Sequence, residues 1–178
     1  MKEFESDVLI GKVTYGKTLE FTPVRGDVGL AKLLMKENAV PKHQRPYKLV
    51  GEREAAMQEL VEDFLERGWL EECKDGSPQS CNAFAVPKKG EGKKFRMVID
   101  YRDLNEGTQA DNHPLPLIEE IIQRQQGNKI FTVIDMKKGF HQMKLRPEDR
   151  YMTAMNAGGR RYHWKVMPMG IKNGPAMF

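Results

Sequence analysis

Met57, Leu60, Val61, Phe64 and Leu65 recur at helical spacing, and after CKDGSPQSCN the pattern changes to that of strands. This change of pattern constrains the fold more than any other feature, because it sets an amphipathic helix before strands. Gly68 stands where a helix C-cap belongs, and the acids of the helix form its wet face. AFAVPKK and FRMVIDY then read as two strands joined through Gly90-Glu91-Gly92. PLPLIEEIIQRQQG reads as a second helix, with Leu117, Ile118, Ile121 and Ile122 facing inward and Gly127 closing it. Ile130 to Ile134 read as a buried strand, since Thr, Val and Ile suit the pleat. QMKLR, YMTAM and RRYHWKVM follow as further strands, with turns at PED and AGG. In the last, Tyr162, Trp164 and Val166 alternate with His163 and Lys165, as one buried and one exposed face require. Helix, hairpin, helix and strands in this order predict an α+β domain.

Residues 1–43 are an upstream segment or linker. VLIGKVTYG and KTLEFTPV are able to pair as strands, DVGLAKLLMKENAV has a short helical pattern, and Pro41 and Pro46 bracket a connection. A chain of 178 residues with 39% hydrophobic and 30% charged residues has enough apolar material for a core. No apolar run is long enough for a signal peptide or membrane span, so an intracellular protein without a membrane partner is expected. Cys73 and Cys81 fit no common zinc spacing and read as inert thiols.

Net charge is only +4, but it is unevenly spread. Residues 51–75 hold nine acids against three bases, whereas residues 129–178 hold ten bases against three acids. This asymmetry points to a polyanion on one side of the molecule. Lys88, Lys89, Lys93, Lys94 and Arg96 surround a glycine-bearing hairpin tip, which suits either a soluble polar turn or a triphosphate or nucleic-acid backbone. Asp100 and Arg102 leave the same strand face and either pair or meet a template. Asp135 closes an apolar run, where a carboxylate either caps the next helix or faces solvent, a metal or a cation.

RMVIDYRDLN, HPLPLIEEI, FTVIDMKKGFHQMKL and MPMGIKNGPAMF, in this order, resemble the reverse transcriptases of gypsy-like LTR retrotransposons, relatives of the retroviral polymerases. RPYKLVGEREAAMQELVEDFLERGWLEE resembles the family's entry helix, so the likeness covers residues 44–178. It implies a right-hand polymerase fold, of which this chain holds the fingers and the first part of the palm. It implies that Asp135 is the first catalytic aspartate and, with the Met136 carbonyl, a ligand of two Mg2+ ions. Hard oxygen ligands suit magnesium, and two ions would stabilise the entering and leaving oxygens. Backbone at Lys138 and Gly139 would cradle the triphosphate, and the Phe140 ring would exclude a ribose 2′-hydroxyl. Lys89 and Arg96 would bind the incoming triphosphate, with Met169 and Gly170 beneath the nucleotide. Asp100, Arg102, Asn105 and Pro175 would meet the template.

Two features depart from the pattern: Met169 stands where this group usually has Phe and retroviruses Gln, and Lys137-Lys138 is unusual. The aromatic-x-Asp-Asp hairpin that would supply the other carboxylates has no match here, since Glu148 and Asp149 lie in a turn. Palm, thumb, RNase H and integrase regions are expected downstream. The resulting expectation is an RNA-directed DNA polymerase, a nucleotidyltransferase, working on an RNA template, a DNA or RNA primer and deoxynucleoside triphosphates. Residues 1–178 alone are expected to be inactive. The alternative is a non-catalytic nucleic-acid-binding remnant.

Overall fold

The computed structural model describes residues 8–10, 29–74, 76–90, 94–114, 116–132, 134–136 and 138–178, with backbone only at 8–10, 134 and 135. In chain order the elements are β1 (Val8–Ile10), β2 (Leu30–Ala31), α1 (Glu52–Glu66), β3 (Leu70–Glu72), β4 (Cys81–Pro87) and β5 (Phe95–Ile99). There follow α2 (Arg102–Gly107), α3 (Ile118–Gln125), β6 (Ile134–Met136), β7 (Lys144–Leu145), β8 (Met155–Ala157), β9 (Arg160–Trp164) and α4 (Gly174–Met177). The main sheet has five strands in the order β3-β9-β8-β4-β5, antiparallel except for the parallel β4–β8 pair. No helix among the described residues is long and apolar enough to cross a membrane.

Helix α1 lies against this sheet and buries Ala56, Met57 and Val61. Its acids Glu52 and Glu54 stand in the first turn, where the helix dipole favours negative charge. Its end is built as the sequence predicts. Gly68 takes φ 68°, its N–H donates to the Leu65 carbonyl at 2.9 Å, and the Trp69 N–H reaches the Phe64 carbonyl at 2.9 Å. These two bonds form a Schellman motif, and the Phe64 and Trp69 rings, 5.7 Å apart, close it on the apolar side. Leu65, expected inward, is instead exposed at the edge of the helix stripe.

The β4–β5 hairpin, the helix at 118–125 and strand β9 match the sequence expectation, as do the turn at Gly158-Gly159 and the burial of Tyr162, Trp164 and Val166. Four expectations are corrected. The apolar face of α3 is not inward: Leu117, Ile118, Ile121 and Ile122 are exposed by 43–71%, because no described element packs over it. The buried strand at 130–134 is not formed over that range. Ile130 is 88% exposed, and among the described residues only Ile134–Met136 pair, antiparallel to Val8–Ile10 and apart from the main sheet. Tyr151 to Thr153 belong to a 3₁₀ helix over Pro147–Thr153, so YMTAM becomes a strand only from Met155. The expected helix before Val40 is replaced by β2, paired in parallel with β7, and extended chain.

That extended chain is tied down from three sides. The Leu33 N–H donates to Asp149 Oδ2 at 2.9 Å, the Lys42 N–H to Gln79 Oε1 at 2.9 Å, and the Asn82 N–H to Gln44 Oε1 at 2.9 Å. Asp149 is thus a buried structural acceptor, and its neighbour Glu148 is exposed. The proposed pairing of KTLEFTPV and the tip residues Glu91, Gly92 and Lys93 lie outside the described residues, as does Lys137.

Candidate functional site

After β6 the chain turns at Lys138, which adopts a left-handed φ of 54°, and enters a 3₁₀ turn over Gly139–Gln142. The Lys138 ammonium sits 4.7 Å from the centre of the Trp69 ring, a cation–π contact that turns this side chain toward the end of α1. Gly139 lets the Phe178 ring close on the turn, since a Cβ there would stand 2.8 Å from that ring. The Phe140 and Phe178 rings meet edge to face at 5.4 Å, and Phe140 also reaches Gly174 at the start of α4. The turn carrying Gly139 and Phe140 is therefore packed directly against α4, on which Pro175 is exposed.

The loop leading into α4 carries Met169, 66% exposed, and Gly170, with φ 95° and the Tyr101 ring 3.7 Å from where a Cβ would stand. Asn105 holds this loop at two points. Its Nδ2 donates to the Gly170 carbonyl at 2.8 Å, and its Oδ1 accepts from the Lys172 N–H at 2.8 Å. Asn173 continues the fastening: its Nδ2 donates to the Gln109 carbonyl at 2.7 Å and its Oδ1 accepts from the Asp111 N–H at 3.1 Å.

His141 links the turn to the same loop from below, with Nδ1 3.0 Å from the Met167 carbonyl. Its ring is stacked on Trp164, 5.2 Å away and 8° from parallel, and lies 4.7 Å from Trp69. Burial holds this imidazole below the usual histidine range. Nothing in the sequence pattern singled out His141 or the bracing role of Asn105, since both act through contacts far along the chain.

Asp100 and Arg102 do pair. Arg102 Nε and Nη2 reach the two carboxylate oxygens at 2.8 and 2.7 Å, and this guanidinium holds the Asp100 carboxyl below the usual range. Asp100 is mostly covered and Arg102 is 88% exposed, so the pair presents its cationic end to solvent. Lys89 and Arg96 are both exposed on the β4–β5 hairpin. The backbone of Asp135 pairs with Leu9, so it lies within a short strand, and its carboxylate falls outside the described atoms. No three His, Cys, Asp or Glu side chains among the described residues converge to hold a metal ion. Cys81 is buried and its thiol is pushed up to about 11, as an inert thiol should be.

The mixed helix-and-sheet fold carries an aromatic turn, a glycine loop packed beside it and a cationic hairpin. Residues 86–178 match the family described as reverse transcriptase (RNA-dependent DNA polymerase), and the chain belongs to that family. It is 36% identical over 141 residues to the retrovirus-related Pol polyprotein from transposon 297 of Drosophila melanogaster, covering 78% of this chain and 13% of that one. It is 37% identical over 119 residues to the enzymatic polyprotein of Cestrum yellow leaf curling virus, covering 65% of this chain and 18% of that one. Among solved structures, the prototype foamy virus protease–reverse transcriptase superposes with a TM-score of 0.71 at 26% identity, over 83% of this chain and 19% of the other. The fold is accordingly that of the fingers and part of the palm of a retroviral reverse transcriptase. The chain spans less than a fifth of the length of these relatives.

Proposed function

We propose that this chain supplies the fingers and first palm segment of a retroelement RNA-directed DNA polymerase, which extends a primer on an RNA template with deoxynucleoside triphosphates. The observation that carries this reading is the packing of the Gly139–Phe140 turn on α4, beside the loop braced by Asn105, within the segment that matches the family. An aromatic ring at the edge of such a turn, packed edge to face on Phe178, suits the exclusion of a 2′-hydroxyl. Lys89 and Arg96, both exposed on a hairpin, suit the approach of a mobile triphosphate. Gly170 and Met169 are assigned to the nucleotide floor, and Arg102 and Pro175 to template contact.

Asp135 and the Met136 carbonyl are this chain's assigned contribution to a divalent-metal site for magnesium. When bound, the metal would neutralise charge on the phosphates and activate the attacking hydroxyl. One carboxylate and one carbonyl are too few for two such ions, so residues 1–178 by themselves are assigned binding without turnover.

The test is fluorescence anisotropy of the 178-residue chain with a labelled RNA–DNA duplex across a salt series. Affinity should be independent of sequence and fall linearly on a logarithmic salt scale, since phosphate contacts release counterions. Absence of binding at low salt, or binding indifferent to salt, would overturn the proposal.

A further inference from the structure

Among the described residues Lys138 is the one non-glycine with a positive φ, 54°. A side chain in this left-handed conformation crowds the following carbonyl, so something must hold it there. The lysine also belongs to the pair, Lys137-Lys138, that departs from the family pattern. On the backbone side, its carbonyl accepts from the His141 N–H at 2.9 Å and so opens the 3₁₀ turn that carries Phe140. On the side-chain side, its ammonium stands 4.7 Å from the centre of the Trp69 ring. The two attachments meet at one place, because the His141 ring is itself 4.7 Å from Trp69.

Trp69 is a suitable anchor because it is fixed independently of the turn. It is buried, its N–H donates to the Phe64 carbonyl at 2.9 Å, and its own carbonyl accepts from the Lys165 N–H at 2.7 Å. These bonds tie it to α1 on one side and to the end of β9 on the other. A second cation, the Arg67 guanidinium, lies 5.3 Å from the centre of the same ring. Arg67 is already matched by Asp63, whose two oxygens each accept from its Nε at 2.9 Å. Those hydrogen bonds, and more weakly the charge of Lys138, hold the Asp63 carboxyl below the usual range. The end of α1 thus offers Lys138 an aromatic face with a carboxylate nearby. An ammonium is attracted by both, and an apolar side chain of the same length by neither electrostatically.

We propose that Trp69 and Lys138 are positioning residues. The cation–π contact between them pins the left-handed residue next to Gly139, and through it sets where the Phe140 ring stands against the sugar of an incoming nucleotide. The Lys138 ammonium thus serves the geometry of the turn and not the charge of the triphosphate. The inference rests on the reading of Phe140 above and deepens it by naming what aims the ring.

The experiment has two arms. In the 178-residue chain, hydrogen exchange reads the His141 amide, which is bonded to the Lys138 carbonyl only while the turn is closed. Lys138→Met keeps the length of the side chain and loses its charge, and should speed this exchange about 2- to 5-fold, the factor that a cation–π contact at an exposed site supplies. Trp69→Phe should give a smaller increase, and Lys138→Arg should stay near wild type. In a chain carrying the rest of the polymerase, Lys138→Met should raise the ratio of ribonucleotide to deoxynucleotide incorporation by a similar factor, and Lys138→Arg should restore it. If Lys138→Met lowers the melting temperature, Lys138→Gly carries both arms, because glycine takes φ 54° without strain. Unchanged His141 exchange in Lys138→Met refutes the anchor. Faster exchange with an unchanged sugar ratio, while Phe140→Val raises that ratio, refutes the positioning role and leaves the Phe140 reading standing. A deoxynucleotide KM that rises in Lys138→Met with the ratio unchanged makes Lys138 a triphosphate contact and also overturns the proposal. If Phe140→Val itself leaves the ratio unchanged, the Phe140 reading and this inference fall together.

Discussion

Asn105→Ala tests whether the loop beneath the proposed nucleotide position is held by this one side chain. The substitution removes two hydrogen bonds of 2.8 Å, one to the Gly170 carbonyl and one from the Lys172 N–H. A hydrogen bond contributes about 0.5–1.5 kcal/mol net, so the two together are worth about 1–3 kcal/mol. Both bonds lie near solvent, and water can replace the lost partners, which puts the expected cost at the low end, about 1–1.5 kcal/mol. Urea denaturation followed by tryptophan fluorescence should show a lower midpoint at unchanged slope. The local effect is more diagnostic. Hydrogen exchange at the Lys172 amide should accelerate about 5- to 10-fold, the factor that a loss of about 1–1.4 kcal/mol in local opening gives. If Lys172 exchange is unchanged while duplex affinity drops, Asn105 is a template contact and the bracing argument is wrong.

Asp149→Ala should cost about 1–3 kcal/mol in urea denaturation, because it orphans the buried Leu33 N–H, and Glu148→Ala one residue earlier should cost almost nothing. Met57→Ala empties a fully buried site between α1 and the sheet, and the same assay should read a loss of about 2–4 kcal/mol. His141 is held neutral by burial, so the unfolded chain binds a proton that the folded chain resists. Stability should therefore be fully present above the ordinary histidine pKa of about 6.5 and fall as pH drops below it. His141→Phe should flatten that part of the stability–pH profile, and an unaltered slope would show that another group titrates there. In a chain carrying the rest of the polymerase, Phe140→Val should raise ribonucleotide relative to deoxynucleotide incorporation, and an unchanged ratio with activity retained would reduce Phe140 to packing.

What could be read from the residues alone was what depends on near neighbours along the chain. The period of Met57, Val61 and Phe64 determines α1, and Gly68 determines its end, because a C-cap needs only local backbone freedom and two carbonyls already within reach. The β4–β5 and β8–β9 pairings were legible for the same reason, as were the motifs that name the family, whereas the residues alone left Asp100 and Arg102 open between an ion pair and a template contact. Amphipathic spacing also fixed α3 as a helix, but spacing does not say what will cover an apolar face, and here that face is open. Tertiary structure alone decided which distant groups meet. It set Asp149 under Leu33, Asn105 under Gly170, and His141 between Trp164 and Trp69. Each of these pairings joins residues at least 23 positions apart (His141 and Trp164), a distance over which no local propensity acts. They form because buried polar groups must find partners and aromatic faces must find cover, and only the assembled sheet and helix decide which partner lies within reach.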